Sequence, residues 1–186
     1  MKAHIFPAIR LTLVCLLFFS GIYTCIVLGI AQFAPNKGKG ELVLQNGKAY
    51  YVNLGQKFTD DKYFHSRPSA VEYNAAGAGG SNKGPSNPAY LATVAERIDS
   101  FLVHNPGIRR SDIPADLVTA SGGGLDPHIS VQAANVQVKR VAKARAMAEG
   151  NIQQLILSCT EKPFLGLFGT ERINVLQLNI ALDNLK

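Results

Sequence analysis

The sequence predicts an α+β protein: one N-terminal apolar helix, then a single domain with a small sheet and three to four helices. Three observations predict this. Between Arg10 and Lys37 no residue is charged, a gap of 26 positions, and all 13 acidic residues lie at or beyond Glu41. The remainder mixes charges, and its apolar residues recur first at strand spacing and then at helix spacing. Only 17% of residues are charged against 47% hydrophobic, where a soluble domain usually carries about a quarter charged; the deficit sits almost wholly in the first 36 positions.

Residues 1–10 form a short tail carrying Lys2 and Arg10, and residues 11–33 the apolar run LTLVCLLFFSGIYTCIVLGIAQF. As a helix this run spans about 35 Å, against a hydrocarbon core of ~30 Å. A cleaved signal peptide has a shorter apolar region and a small-x-small site, whereas Ala31-Gln32-Phe33 ends this one; the expectation is a retained anchor. Flanking cations are nearly balanced, Lys2 and Arg10 against Lys37 and Lys39. The orientation expected is N-terminus inside and domain outside, since long domains translocate largely regardless of charge. Gly21, Cys25 and Gly29 recur every fourth residue, giving a stripe of small side chains that suits close approach by a partner helix.

Residues 34–40 are a polar Gly/Pro juncture, and 41–186 the domain. Leu42–Leu44 and Ala49–Val52 read as strands around Asn46-Gly47, a hairpin signal. Residues 63–88 are turn-rich and too long for a plain connection, hence a functional loop. A helix is expected over 88–104, with Asn87 as cap, Pro88 in the first turn and Asn105-Pro106-Gly107 as stop. Ile113–Thr119 reads as strand or turn. Ser130 is expected to cap a helix running to about Glu149, Gly150 to break it, and Asn151 to cap another over 152–159. The alternation Ile173–Leu178 reads as a strand leading into a short terminal helix.

Composition excludes several functions. One apolar span cannot line a pore, and about 150 further residues are too few for a complete pump. Residues 37–186 hold 17 basic and 13 acidic residues, too mild an excess for nucleic acid. Cys159 is alone in the domain, so no disulfide forms within it, and His4, His65, His104 and His128 are scattered without metal-site spacing. Residues 79–86 lack the Lys after the second Gly that a phosphate loop needs; Pro85 stands there and removes an N–H. Ser121, Asp126 and His128 include the residue types of a hydrolytic triad, yet they are also ordinary turn chemistry, and a turn or interface loop is the reading. Lys139, Arg140 and Lys143 share one helical arc, a solvated face or an anion contact.

Blocks spread over the chain resemble one family. They are Tyr63-Phe64-x-Ser66-Arg67-Pro68-Ser69-Ala70, the stretch from Gly79 to Pro88, Pro114–Ser121, Gly124–Ser130, Gln137-x-x-Arg140-Val141-Ala142-x-Ala144-Arg145 and Asn174-Val175-x-x-Leu178-Asn179. These look like the C subunit of bacterial Kdp potassium-transporting ATPases. Departures are small: Lys83 where an apolar residue is usual, Gly123 for Ser, Val131 where Pro is common. The resemblance implies an inner-membrane, single-pass accessory subunit working with a channel-like potassium-binding subunit, a P-type ATPase subunit, a very small membrane peptide and the surrounding membrane lipid. It further implies a catalytic chaperone that raises the ATPase subunit's affinity for ATP through a ternary complex, with a glutamine, best matched by Gln137 and next by Gln132, at the nucleotide. No metal or prosthetic group of its own is implied. The pump's Asp-Lys-Thr-Gly and the filter's Thr-Val-Gly-Tyr-Gly are absent. The alternative is a purely structural lid on the extracellular face of the channel-like subunit. The expected contact residues are Ser66, Arg67, Tyr73, Asn74, Ser81, Asn82, Ser86, Asn87, Asp126 and His128.

Overall fold

The computed structural model describes residues 4–45 and 47–185, and the chain divides into two units, residues 1–42 and 43–186. The first unit is a continuous helical rod: α1 (Ile5–Leu16), a π-helical segment (Leu17–Tyr23) and α2 (Thr24–Ala31). By length and composition this rod, Ile5–Ala31, can cross a membrane. It starts earlier than the apolar run, taking Arg10 into its first turns, and stops before Phe33. The π segment has a side-chain signature: the Thr24 hydroxyl donates to the Phe19 carbonyl five residues back, at 3.2 Å. Gly21 lies inside that segment and Cys25 and Gly29 beyond it.

The second unit has the expected α+β character. β1 (Leu42–Gln45) and β2 (Lys48–Tyr51) form a two-stranded sheet. Of the turn between them Gly47 has φ 75°, and Asn46 lies outside the described residues. A long stretch without regular structure follows, up to α3 (Pro88–His104), whose N-cap Asn87 accepts from the Tyr90 N–H at 3.0 Å. Residues 113–119 resolve as turn, with 3-10 turns at Arg110–Asp112 and Ala115–Leu117.

The helix expected over 130–149 is two helices, α4 (Val131–Asn135) and α5 (Val138–Arg145). Ser130 caps α4 by accepting from the Ala133 N–H. α5 stops at Ala146, which turns left-handed at φ 53°, so the helix ends before Glu149. The next helix, α6 (Glu149–Cys159), takes Gly150 into its first turn with Ala148 as cap; Gly150 does not break it and Asn151 does not cap it. The predicted strand 173–178 is also corrected. β5 (Arg172–Asn174) ends at Asn174, whose side chain accepts from the Gln177 N–H at 3.1 Å and starts α7 (Val175–Asn184). β5 is central in an antiparallel three-stranded sheet, flanked by two-residue strands β3 (His128–Ile129) and β4 (Thr160–Glu161).

α4 to α7 pack on one another and on β5 around Ile129, Val138, Val141, Ile152, Ile156, Ile173, Leu178 and Leu182, all buried, with Phe64 inserted from the long loop. Each such apolar side chain contributes about 1.5–3 kcal/mol when fully buried. β5 is buried at Ile173 and Asn174 alike. Asn174 tolerates this because its amide donates to the Val52 carbonyl at 2.8 Å while its oxygen caps α7.

Candidate functional site

The segment Asp61–His65 begins in a turn, with the Tyr63 N–H donating to the Asp60 carbonyl at 3.0 Å, and belongs to no sheet. Its backbone groups must still be satisfied where buried, and side chains do it. Asn179 brackets Phe64, accepting from its N–H at 2.9 Å and donating to its carbonyl at 3.0 Å. Gln137 brackets His65 in the same way, accepting from its N–H at 2.8 Å and donating to its carbonyl at 3.4 Å. Arg140 donates to the carbonyls of Asp61 at 2.6 Å and Tyr63 at 2.9 Å. Arg145 donates to the Lys62 carbonyl at 2.7 Å, pairs with Asp183 at 2.6 Å and stacks on the Tyr63 ring at 5.0 Å. All five carbonyls of the strap are thus captured by side chains from α5, its N-cap Gln137 and α7.

Arg140 is the hub. It is 6% exposed, and its Nε and Nη2 donate to Asn105 Oδ1 at 3.0 Å and Gln137 Oε1 at 2.7 Å. Burial pulls its pKa down to about 10, against the opposing pull of Asp61 and Asp60, so it stays charged at neutral pH. Beside it the burial of His65, reinforced by the Arg140 charge, holds the imidazole at about 4 instead of 6.5. His65 is therefore neutral in the folded domain at pH 7. As pH falls, the unfolded chain takes up this proton first, so the His65 contribution to stability drops between about pH 6.5 and 4 and levels off below. Allowing for solvent screening of the partly exposed ring, the loss is about 1–2 kcal/mol. Urea midpoints measured from pH 7.5 to 4.5 should fall, and His65→Gln should flatten the curve. An unchanged slope in the variant would show that another group is responsible.

A second polar assembly joins the loops at 66–80 and 121–128. Arg67 Nη1 pairs with Asp126 Oδ2 at 2.9 Å, and the Arg67 carbonyl accepts from the Tyr73 hydroxyl at 2.5 Å. Ser69 Oγ donates to the Gly124 carbonyl at 2.6 Å and accepts from the N–H groups of Val71 and Tyr73. The backbones meet directly, with Gly79 N–H to the Gly123 carbonyl at 3.0 Å and Gly55 N–H to the Leu125 carbonyl at 2.7 Å. Asp126 also accepts from the His128 N–H at 3.0 Å and faces its Nδ1 at 3.2 Å. These donors, His128 foremost, hold its carboxyl at about 2. His128 Nε2 faces Glu161 at 3.7 Å, so its ring is placed between two carboxylates.

The residues singled out from sequence divide accordingly. Ser66, which donates to the Gln56 carbonyl at 2.7 Å, and Arg67, Tyr73, Asp126 and His128 are built into this ledge. Asn74 is exposed and accepts from the Ala76 N–H in its own turn, while Ser81, Asn82 and Ser86 are exposed. Asn87 spends its oxygen on capping α3. Gln132 is exposed, at 3.4 Å from the Asp112 carbonyl. Gln137 is fully buried. Its oxygen accepts from His65 and Arg140, and its nitrogen donates to Ala133 at 3.0 Å and to His65, which fills all four hydrogen-bonding positions of the amide and leaves none for a nucleotide. The basic arc is split: Lys139 and Lys143 are exposed and line a groove of about 580 Å³ with His104 and Asn105, while Arg140 turns inward. Asn179 and Asn105 are the partners whose roles sequence reasoning missed; Asn179 is a buried polar residue inside α7, and Asn105, read only as a helix stop, is the C-cap of α3.

Fold and site together define a class: an α+β domain carried behind one helix of membrane-crossing length, its polar side chains spent largely on holding its own loops. The chain belongs to the KdpC family, described as K+-transporting ATPase, c chain, whose family model matches residues 5–184. It is similar to the potassium-transporting ATPase KdpC subunit of Flavobacterium psychrophilum, 53% identical over 184 residues and covering 98% of this chain and 99% of that protein. The protein of the same name from Bacteroides fragilis is 52% identical over 183 residues, covering 96% of each. That from Geobacter sulfurreducens is 51% identical over 185 residues, again covering 96% of each.

Proposed function

We propose that the chain is a non-pump accessory subunit of an ATP-driven, high-affinity potassium uptake complex and acts there as a structural member. Its partners are the channel-like potassium-binding subunit, the P-type ATPase subunit and the small membrane peptide. It sits in the cell inner membrane with its N-terminus cytoplasmic and its domain periplasmic. The helix docks by the stripe Gly21, Cys25 and Gly29, and the ledge carrying Arg67, Asp126 and the exposed Ser81, Asn82 and Ser86 faces the channel-like subunit as a lid. The observation that carries this reading over direct nucleotide contact is the complete internal use of the Gln137 amide.

A second reading, the catalytic chaperone that raises ATP affinity through a ternary complex, is favoured by one feature. The groove lined by Lys139, Lys143 and His104 is basic and large enough for a phosphate-bearing ligand. Labelled ATP at equilibrium with the full-length chain in detergent tests whether this subunit contacts nucleotide on its own. The expected result is no saturable binding up to about 1 mM, the weak end of specific affinity at roughly −4 kcal/mol. Saturable binding that the Lys139→Ala, Lys143→Ala double variant weakens would replace the structural reading with the chaperone.

A further inference from the structure

Between β4 and β5 the chain makes a narrow turn, Pro163-Phe164-Leu165-Gly166-Leu167-Phe168-Gly169. Nothing in the ledge or the strap uses it. Phe164, Leu165, Leu167 and Phe168 are 71, 74, 80 and 65% exposed, four large apolar side chains on one tip. Burying such side chains is the main favourable term available to a folded chain, and a contiguous exposed cluster of them marks an interaction surface. From Pro163 to Thr170 no residue is charged, and exposed Lys162 stands next to the tip, with the Arg172–Glu161 pair at its base, 2.9 Å. The tip is also closed upon itself. Phe164 and Phe168 exchange N–H to carbonyl bonds, both at 3.0 Å, the Gly166 N–H donates to the Pro163 carbonyl at 2.9 Å and the Leu167 N–H to the Phe164 carbonyl at 3.1 Å. Backbone groups paired in this way can leave water without the cost of unpaired donors.

We propose that this tip inserts into the headgroup–acyl boundary of the same bilayer that the N-terminal helix crosses. The occupant follows from the chain. Only eleven residues, 32–42, lie between Ala31, the end of the rod, and the second unit. Even fully extended they reach at most about 40 Å, which keeps the domain at high effective concentration beside that membrane. Phe and Leu are side chains that enter the boundary, while a flanking Lys keeps its ammonium among the headgroups with its stem along the apolar layer. The tip is thus a second, weaker membrane contact. This goes beyond the subunit's place in the complex and does not depend on nucleotide binding.

The chain contains no Trp, so a single introduced indole reports its own surroundings. Full-length Leu167→Trp, with Leu165→Trp as a second position, is placed in vesicles of mixed zwitterionic and anionic phospholipid. The expected result is blue-shifted emission, lost on substitution of lipids brominated high on the acyl chain and less affected by bromine near the chain end. Val103→Trp on α3, at a position 78% exposed, should emit as water-exposed indole and stay unquenched. Water-exposed emission from both tip positions would overturn the proposal. So would equal quenching at position 103. Blue-shifted emission in the assembled complex that brominated lipid does not quench would also overturn it, showing the tip covered by a protein partner.

Discussion

Arg140→Met should be the most damaging single substitution in the domain, costing about 3–5 kcal/mol, the range for breaking a buried, hydrogen-bonded charge network. The methionine has similar bulk but leaves the carbonyls of Asp61 and Tyr63 and the Asn105 side-chain oxygen without their donor. Each buried unpaired acceptor carries a penalty of about 1–3 kcal/mol. Domains of this size are stable by only about 5–15 kcal/mol, so roughly a fifth or more of the total is at risk. Arg140→Lys should recover little, because one ammonium cannot span acceptors on the strap, on Asn105 and on Gln137 together. Lys139→Ala, on the exposed side of α5, should stay within about 0.5 kcal/mol of the parent. Urea unfolding of the full chain in detergent, followed by near-UV circular dichroism, measures all three. If Arg140→Met unfolds within about 1 kcal/mol of the parent, typical of an ordinary substitution, the strap does not depend on Arg140.

This hub shows where sequence reading succeeds and stops. Helix α3 was fully legible, since a cap, a proline in the first turn and an Asn-Pro-Gly stop are local signals, and the observed bounds are Pro88–His104. The terminal strand was half legible. Alternation over Ile173–Leu178 fits a strand, but Asn174 satisfies the Gln177 N–H, and a cap in the middle of an alternating run reads the same as a strand residue until its partner is known. β3 and β4 have two residues each, too short for any period to register. Gln137 failed for another reason. It drew notice only through the family resemblance, and the backbone it holds is 72 positions away, so sequence could not separate a ligand contact from a clamp on the protein's own loop. The resemblance to the family fixed membership; it did not fix what the glutamine touches. The exposed tip at 163–169 was not legible, because Phe-Leu-Gly-Leu-Phe fits a buried strand equally well.

Gly124→Ala should separate the two loops of the ledge, at a cost of about 2–4 kcal/mol. Gly124 has φ +69°, where a non-glycine residue pays about 1–2 kcal/mol. A Cβ there would also stand 2.8 Å from the Gly79 carbonyl oxygen and 2.8 Å from Val71 Cγ2. The first of these is backbone, which cannot turn aside as a side-chain tip can. The new methyl therefore pushes against the strand of loop that carries the Gly79 N–H to Gly123 bond, and the Ser69 hydroxyl, donating to the Gly124 carbonyl at 2.6 Å, shifts with it. Two comparators divide the effect. Gly107→Ala has φ +95° but nothing within 4 Å, so it should show the backbone cost alone. Gly123→Ala has neither and should change stability by less than about 0.5 kcal/mol. Amide exchange at Gly79 and Gly55 reads the ledge directly. It should rise in Gly124→Ala while amides of α6 and β5 remain protected, because the loops open locally before the core does. If the ledge is the lid surface, the same variant should co-purify less with the channel-like subunit, while Gly107→Ala should co-purify as the parent does. Normal co-purification of Gly124→Ala with exchange at Gly79 raised would move the docking surface away from these loops and leave the helix as the main element of assembly.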